Sequence, residues 1–303
     1  MVKHMGAGII RYKKNNAGKV VFDSVNMLFM ILLVIITVLP FLYVLVFSFQ
    51  SPEDYRTRGL AFPREFSLNN YILLLSRGSK VLQSFQVTVV ITVAGALISI
   101  ILTTMLAYGI SKKYLPGRTF FVTFIFITMI VGGGLIPTYF MVRATGLTNT
   151  LWSVMIPNAV AAFYVFIMRN FFAAIPPELE ESARMDGAND IRILFRIIIP
   201  VSMPVIATIG LFYAVERWNT FFNAYIYITN TKLHPLQVVL NSIINSHNPA
   251  VDPAMAAQKA MMMPSADILR MSAIMVTILP IMLVYPFLQR FFVKGIMIGS
   301  IKG

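Results

Sequence analysis

Six stretches of this chain carry no Asp, Glu, Lys, Arg or His: residues 24–52, 81–111, 119–142, 144–168, 197–215 and 271–289. A helix rises about 1.5 Å per residue, and the hydrocarbon of a bilayer is about 30 Å thick, so roughly 20 apolar residues cross it. Unpaired backbone groups are too costly in lipid for an open sheet, so each run is expected as a helix. The chain therefore reads as an all-α membrane protein with six transmembrane helices. Only 12% of its 303 residues are charged, against about 25% in an ordinary soluble domain.

The bases flank these runs instead of gathering in one patch. The formal charge of +13 thus reads as membrane orientation and not as a nucleic-acid footprint. Placing the N-terminus inside puts 15 of the 25 lysines and arginines on the inner side, in the shorter segments. Both termini and the 176–199 segment are expected in the cytoplasm. The expected organisation is a basic N-terminus over 1–24, a six-helix membrane domain over 25–292 and a tail over 293–303. The first run is too long for a signal-peptide core and no A-x-A site follows it, so it is expected to remain as an anchor.

Several function classes drop out. The chain has no cysteine, which excludes disulfides, thiol catalysis and thiolate metal sites. It has no G-x-x-x-x-G-K-[ST] loop, so nucleotide is expected on a partner and no cofactor or metal on this chain. The spans lack a paired Asp, a metal-spaced His set and a Ser with a nearby His. His4, His234 and His247 fall in terminal or loop regions. Asp23, Glu216, Asp252 and Asp267 are expected at span ends or outside, which leaves no buried acid chain for a proton-coupled carrier. A channel or secondary carrier for a small polar solute is the alternative that stays open.

Glycines 132–134 with Pro137 predict a break in the third run, and Pro157, Pro200, Pro204, Pro280 and Pro286 predict kinks or starts elsewhere. Ordinary membrane-helix proline usage accounts for these; so do irregular helices lining a cavity. The 230–267 segment, rich in proline, predicts a re-entrant or lid-like outer loop or a plain connection.

One stretch interrupts the apolar pattern: PPELEESARMDGANDIRILFRIIIP, residues 176–200. Pro176-Pro177 before Glu178, Glu180 and Glu181 is a helix start, since proline suits the first turn and carboxylates suit the positive end of the dipole. Gly187 can end that helix in a left-handed turn, and Asn189 or Asp190 can cap a second one. Ile191, Leu194, Phe195 and Ile198 then fall on one apolar face. Interfacial helices that merely rest on lipid are usually basic, whereas this pair begins acidic, so a protein partner is expected instead, with the small Ser182 and Ala183 allowing close approach.

This segment resembles the EAA motif of binding-protein-dependent ABC importers: E-A-A, three residues, G, nine residues, I-x-L-P. Glu181, Ser182 and Ala183 fill the first places, Gly187 follows, and Ile197, Ile199 and Pro200 complete the pattern, with serine for one alanine and isoleucine for leucine. IPTYFMVRATGLTNT, WNTFFNAYIYI and YPFLQRFFVKGIMIGSIKG resemble the MalG-like side of the carbohydrate-uptake permeases, the last two its LplC/YtcP-type subgroup. That resemblance implies a Type I importer permease fold with a cytoplasmic coupling helix. It places Glu181, Ser182, Ala183, Asp186 and Gly187 against an ATP-binding subunit, and Lys294, Gly295 and Lys302 of the tail near the same subunits. It also implies a second homologous permease, two ATP-binding subunits holding ATP and Mg, a solute-binding protein and an oligosaccharide cargo.

A charged cluster, Glu216-Arg217 beside Trp218-Asn219, adjoins the fifth run. The Trp-Asn pair matches the resembled family, whereas Arg217 departs from it. One reading places Arg217, Trp218 and Asn219 on the substrate path, the ring stacking on sugar and the guanidinium pairing with a uronate. The other is an interfacial Trp with snorkelling neighbours. Asn158 and Tyr213, with Thr208, are further candidates for that path.

Overall fold

The computed structural model describes residues 17–245 and 266–300, with side chains over 18–245 and 267–286. The helices are α1 (Ala17–Ser48), α2 (Pro52–Arg58), α3 (Asn69–Leu75), α4 (Lys80–Ser111), α5 (Arg118–Ile130), α6 (Leu135–Ala144) and α7 (Trp152–Met155). There follow α8 (Ala162–Ala173), α9 (Glu178–Met185), α10 (Asp190–Val201), α11 (Met203–Trp218), α12 (Phe222–Tyr227), α13 (Leu236–Asn245) and α14 (Ala266–Ser300). Among the described residues there is no strand, as expected of a lipid-embedded chain.

The centre is α4. Ser79 caps its start by accepting from the Leu82 N–H, and its buried positions include Ser84, Thr88, Ile91, Gly95, Ser99, Thr103 and Ala107, spaced by three or four. Most of these are small, which lets neighbouring backbones approach where lipid supplies no hydrophobic drive. Helices α8 and α11 fill the resulting groove. At one such approach a Cβ on Gly210 of α11 would stand 2.6 Å from Ile100 Cδ1. A core of Ala107, Tyr108, Met168, Phe172, Ile193, Ile198, Ile209 and Tyr213 joins α4, α8, α10 and α11 at one end of the bundle. Two smaller cores occupy the other end, one around Ile91 and Met155 and one around Trp218 and Leu236. By contrast α1 is exposed on all sides from Gly18 to Leu42 and meets α14 near its C-terminal end.

The expected six spans are not all present as continuous helices. Among the described residues three helices, α1, α4 and α14, are long and apolar enough to cross a membrane, and five spans result if each of two bent pairs counts as one. The third run breaks where the glycines predict it: α5 and α6 meet at 117°, and Gly134 has φ +76°. The fourth run, 144–168, is not one continuous helix. The chain turns at Gly146 and Asn149, both with positive φ, makes the four-residue α7, and leaves the helix around Pro157 before α8. Freedom from charge is necessary for a span, but glycine and proline decide whether the backbone stays helical. The sixth run lies inside α14, which continues through Ser300. Of the tail residues, Lys294 and Gly295 are on this helix and Lys302 lies outside the described residues, as does the 1–16 segment with His4. In the 230–267 segment, α13 packs on α4 and α14, while His247, Pro249, Asp252, Pro253 and Pro264 also lie outside the described residues.

A polar latch joins α2 to the start of α14. Tyr55 donates to Asp267 Oδ2 at 2.6 Å, and Arg270 donates to Asp267 Oδ1 at 3.1 Å. The bond to the carboxylate, more than burial, pushes the Tyr55 hydroxyl up to about 12. Because the folded value lies above the usual tyrosine value near 10, the latch contributes fully below about pH 10 and is lost as pH rises towards 12. The difference in thermal midpoint between wild type and Tyr55→Phe is expected to be small, under about 1 kcal/mol equivalent, level below pH 10, and gone by about pH 12.

Candidate functional site

Two places on this frame carry unusual chemistry. The first is the α9–α10 corner. Helix α9 runs over Glu178–Met185 with Glu178, Glu180 and Glu181 in its first turn. Gly187 takes φ +78°, and Asn189 caps α10 by accepting from the Arg192 N–H. Local chemistry and structure agree here: the carboxylates lie at the positive end of the α9 dipole, Gly187 allows the left-handed turn, and Asn189 satisfies a helix-end N–H that has no partner in the helix.

Its two faces differ. Glu178, Glu181, Ser182 and Met185, at i, i+3, i+4 and i+7, are all exposed, Met185 to 88%. Glu180, Ala183 and Arg184 turn towards the bundle. Glu180 forms an ion pair with Lys112, the residue just past the end of α4, and both side chains are largely covered, 14% and 11% exposed respectively. Lys112 also lies 4.1 Å from the centre of the Tyr108 ring. Arg184 pairs with Asp190 Oδ1 at 2.6 Å, donates to the Tyr114 hydroxyl and sits over that ring. Burial, opposed by this Arg184 bond, pushes the Tyr114 hydroxyl up. The exposed Arg184–Asp190 pair is worth little by itself, whereas removing either partner of the covered Lys112–Glu180 pair would leave a charge uncompensated.

Two sequence expectations need correction at this corner. Ala183 packs against the main core, so its small size seats α9 on the bundle instead of receiving a partner. In α10 the buried residues are Ile193, Leu194 and Ile198, while Ile191 and Phe195 are 68% and 57% exposed. A run made almost wholly of Ile, Leu and Phe does not mark one face by period, and a π-helical turn over Leu194–Ile198 shifts the register further. Lys112, Tyr114 and Met185 were missed; the only signal for Lys112 was a base at the end of an apolar run.

The second place is a cleft of about 250 Å³ between the end of α11, the start of α12 and the break after α7. Asn158, Glu216 and Arg217 line it together with Thr220, Phe221, Phe222 and Asn223. A Cβ on Gly95 would come within 3.3 Å of Arg217 Cδ, so the cleft lies beside the middle of α4, about 23 Å from either end at about 1.5 Å per residue. Glu216 lies two residues before the end of α11, at the end of that run as the sequence places it. It is exposed and its Oε1 accepts from the Tyr164 hydroxyl at 2.6 Å. A carboxylate beside the middle of α4 needs water or a polar partner, and Tyr164 supplies one.

The candidate path residues divide. Arg217 is 5% exposed. Its guanidinium donates to the Val154 carbonyl, to the Asn158 carbonyl at 2.6 Å and to Ser99 Oγ at 3.3 Å. These carbonyls flank the Pro157 break, where helix hydrogen bonding stops, and the arginine supplies the missing donors. The expected pairing with a uronate is thus unavailable in this arrangement. Trp218 does not stack in the cleft either: it is 8% exposed, donates Nε1 to the Thr277 carbonyl at 3.2 Å and meets Phe85 edge-on. Tyr213 is fully buried, its hydroxyl bonded to Thr103 at 2.7 Å and accepting from the Ala161 N–H at 3.0 Å. Thr208 bonds its own helix at Pro204. Asn219 is exposed beside the cleft and accepts from Gln237, and Asn158 lines the cleft. Among the described residues no group of His, Cys, Asp and Glu suits a metal ion.

The family model described as "Binding-protein-dependent transport system inner membrane component" matches residues 118–298. This chain belongs to that family. As a binding-protein-dependent transport component it is 38% identical over 283 residues to the polygalacturonan/rhamnogalacturonan transport system permease protein YtcP of Bacillus subtilis (strain 168), covering 93% of this chain and 98% of that protein. It is 39% identical over 288 residues to protein LplC of the same organism, covering 95% and 96%. Its fold matches a chain in the crystal structure of a bacterial ABC transporter involved in the import of the acidic polysaccharide alginate. The TM-score there is 0.84 at 31% identity, over 93% of this chain and 100% of that one. The α9–α10 corner and the cleft both fall within the family-matched segment of this inner-membrane component.

Proposed function

We propose that this chain is one of two permease subunits of a Type I ABC importer that carries oligosaccharides, acidic polysaccharide fragments among them, across the bacterial cytoplasmic membrane. A homologous permease completes the pathway, two ATP-binding subunits hold ATP and Mg, and a solute-binding protein delivers cargo from outside. Both termini and the 176–199 segment face the cytoplasm, as the distribution of bases supports. The names of the relatives above support the cargo class.

The observation that carries this reading is the two-faced α9. Its outward stripe of Glu178, Glu181, Ser182 and Met185 has no covering element in the described chain, and its inward face is tied to α4. An ATP-binding subunit seated on that stripe, around Asp186 and Gly187, pushes α9 when it closes on ATP. The Lys112–Glu180 pair passes the displacement to α4, whose midpoint borders the cleft, so cavity access changes with nucleotide state. Lys294, Gly295 and Lys302 meet the same ATP-binding subunits, and the 230–267 segment meets the solute-binding protein.

Gly187→Val tests this. The new side chain has room, since nothing lies within 4 Å of its Cβ, but a β-branched residue resists φ +78° and reshapes the corner. Recovery of the ATP-binding subunits with the affinity-purified chain is expected to drop roughly tenfold, for about 1–2 kcal/mol of strain, with membrane insertion unchanged. Wild-type recovery and transport in this variant would show that the corner does not dock an ATP-binding subunit. Transport by the wild-type chain with those subunits deleted would establish a carrier or channel instead.

A further inference from the structure

The cleft presents a charge opposite to the one the sequence suggested. Arg217 lines it, yet its terminal nitrogens are occupied by the Val154 and Asn158 carbonyls and by Ser99. The charged group left open is Glu216, with one oxygen held by Tyr164. Beside it stand the amide of Asn223 and the hydroxyl of Thr220. The aromatic surface comes from Phe222, 54% exposed, and from Phe221, which is stacked on Tyr225 at 5.8 Å.

We infer that Glu216 is a specificity-determining residue that holds an uncharged, hydroxyl-bearing sugar unit in this cleft and keeps carboxylate-bearing units out of it. The inference rests on the importer reading above and narrows its cargo. A carboxylate accepts short, charge-assisted hydrogen bonds from sugar hydroxyls, and a phenyl face covers the apolar C–H side of a pyranose ring. A uronate in the same place would bring a second negative charge within a few ångströms of the first, and that repulsion is a means of rejection as much as the hydroxyl contacts are of acceptance. Acidic units of a mixed or charged fragment therefore face the other permease subunit, not this one. Tyr164 fixes the carboxylate's position, so the discrimination comes from a preset group and not from a mobile side chain.

The experiment uses the complete transporter with its own solute-binding protein in proteoliposomes. A neutral galactose trisaccharide and a galacturonic acid trisaccharide serve as labelled probes, and the ratio of their uptake is compared between variants so that the binding protein's own preference cancels. Glu216→Gln is expected to raise the uronate-to-neutral ratio about tenfold, Glu216→Asp to leave it near the wild-type value, and Asn223→Lys to raise it independently. An unchanged ratio in Glu216→Gln overturns the inference. So does loss of both probes in Glu216→Gln at normal complex yield while Glu216→Asp keeps both, since the carboxylate would then be required for any passage instead of selecting among cargoes. Uptake of neither probe by the wild-type complex is a different failure, that of the oligosaccharide reading itself.

Discussion

Reversing the charge of Lys112 with Lys112→Glu is expected to reduce ATP-driven transport at least tenfold while leaving ATP hydrolysis by the assembled complex measurable. The reason is geometric. Helix α9 touches the long helix α4 through one covered ion pair, Lys112 to Glu180, backed by the Tyr108 ring beneath the ammonium. Breaking a covered pair by removing one partner costs about 3 kcal/mol, several times the worth of an exposed pair such as Arg184–Asp190. With two carboxylates opposed, α9 can still receive an ATP-binding subunit on its outward stripe, but its displacement no longer reaches α4. The double exchange Lys112→Glu with Glu180→Lys restores a pair of opposite sign and should recover much of the transport. Recovery will be incomplete, because a lysine in the first turn of α9 opposes the helix dipole. Equal transport in the single variant and wild type, or no recovery in the exchange, would remove this pair from the path of motion.

Arg217→Ala is expected to destabilise the chain by about 3 kcal/mol and to reduce uptake of neutral and acidic oligosaccharides by the same factor. Two carbonyls beside the Pro157 break and the Ser99 hydroxyl lose their donor at once, and charge-assisted bonds of this kind are each worth about 1.5–3 kcal/mol when buried. The space vacated next to Gly95 and Met155 adds a cavity term. Thermal unfolding of the purified chain in detergent reads the first effect, and paired uptake measurements read the second. Selective loss of acidic cargo alone would instead return Arg217 to the role of a uronate ligand. Comparison with Glu216→Gln then separates a residue that holds the cleft together from one that reads its contents.

The sequence made some parts of this architecture plain and hid others for identifiable reasons. The α9 start, the Gly187 turn and the Asn189 cap were readable because each depends on a residue and its immediate neighbours. The break around residues 132–134 was readable for the same reason. The run 144–168 misled because absence of charge was read as continuity, whereas Gly146, Asn149 and Pro157 turn the backbone three times within it. Ala183 misled because a small residue fits a tight contact on either side of a helix, and only the packing shows which side. Arg217 and Glu216 are adjacent charges in the sequence, but adjacent residues on a helix point about 100° apart, so along the cleft Arg217 turns into the bundle while Glu216 is left exposed.

What the chain's composition and spacing determined alone is its solvent and its local punctuation: runs without charge must sit in lipid, and acids, glycine and asparagine at fixed places must start, turn and restart two short helices outside it. Tertiary structure alone decided which of these residues face each other. Lys112 meets Glu180 across 68 positions and Arg217 meets Val154 across 63, and no local preference encodes a partner that distant. Such pairs form because a covered charge or an unpaired carbonyl must find its counterpart wherever the packing of the helices brings one within reach.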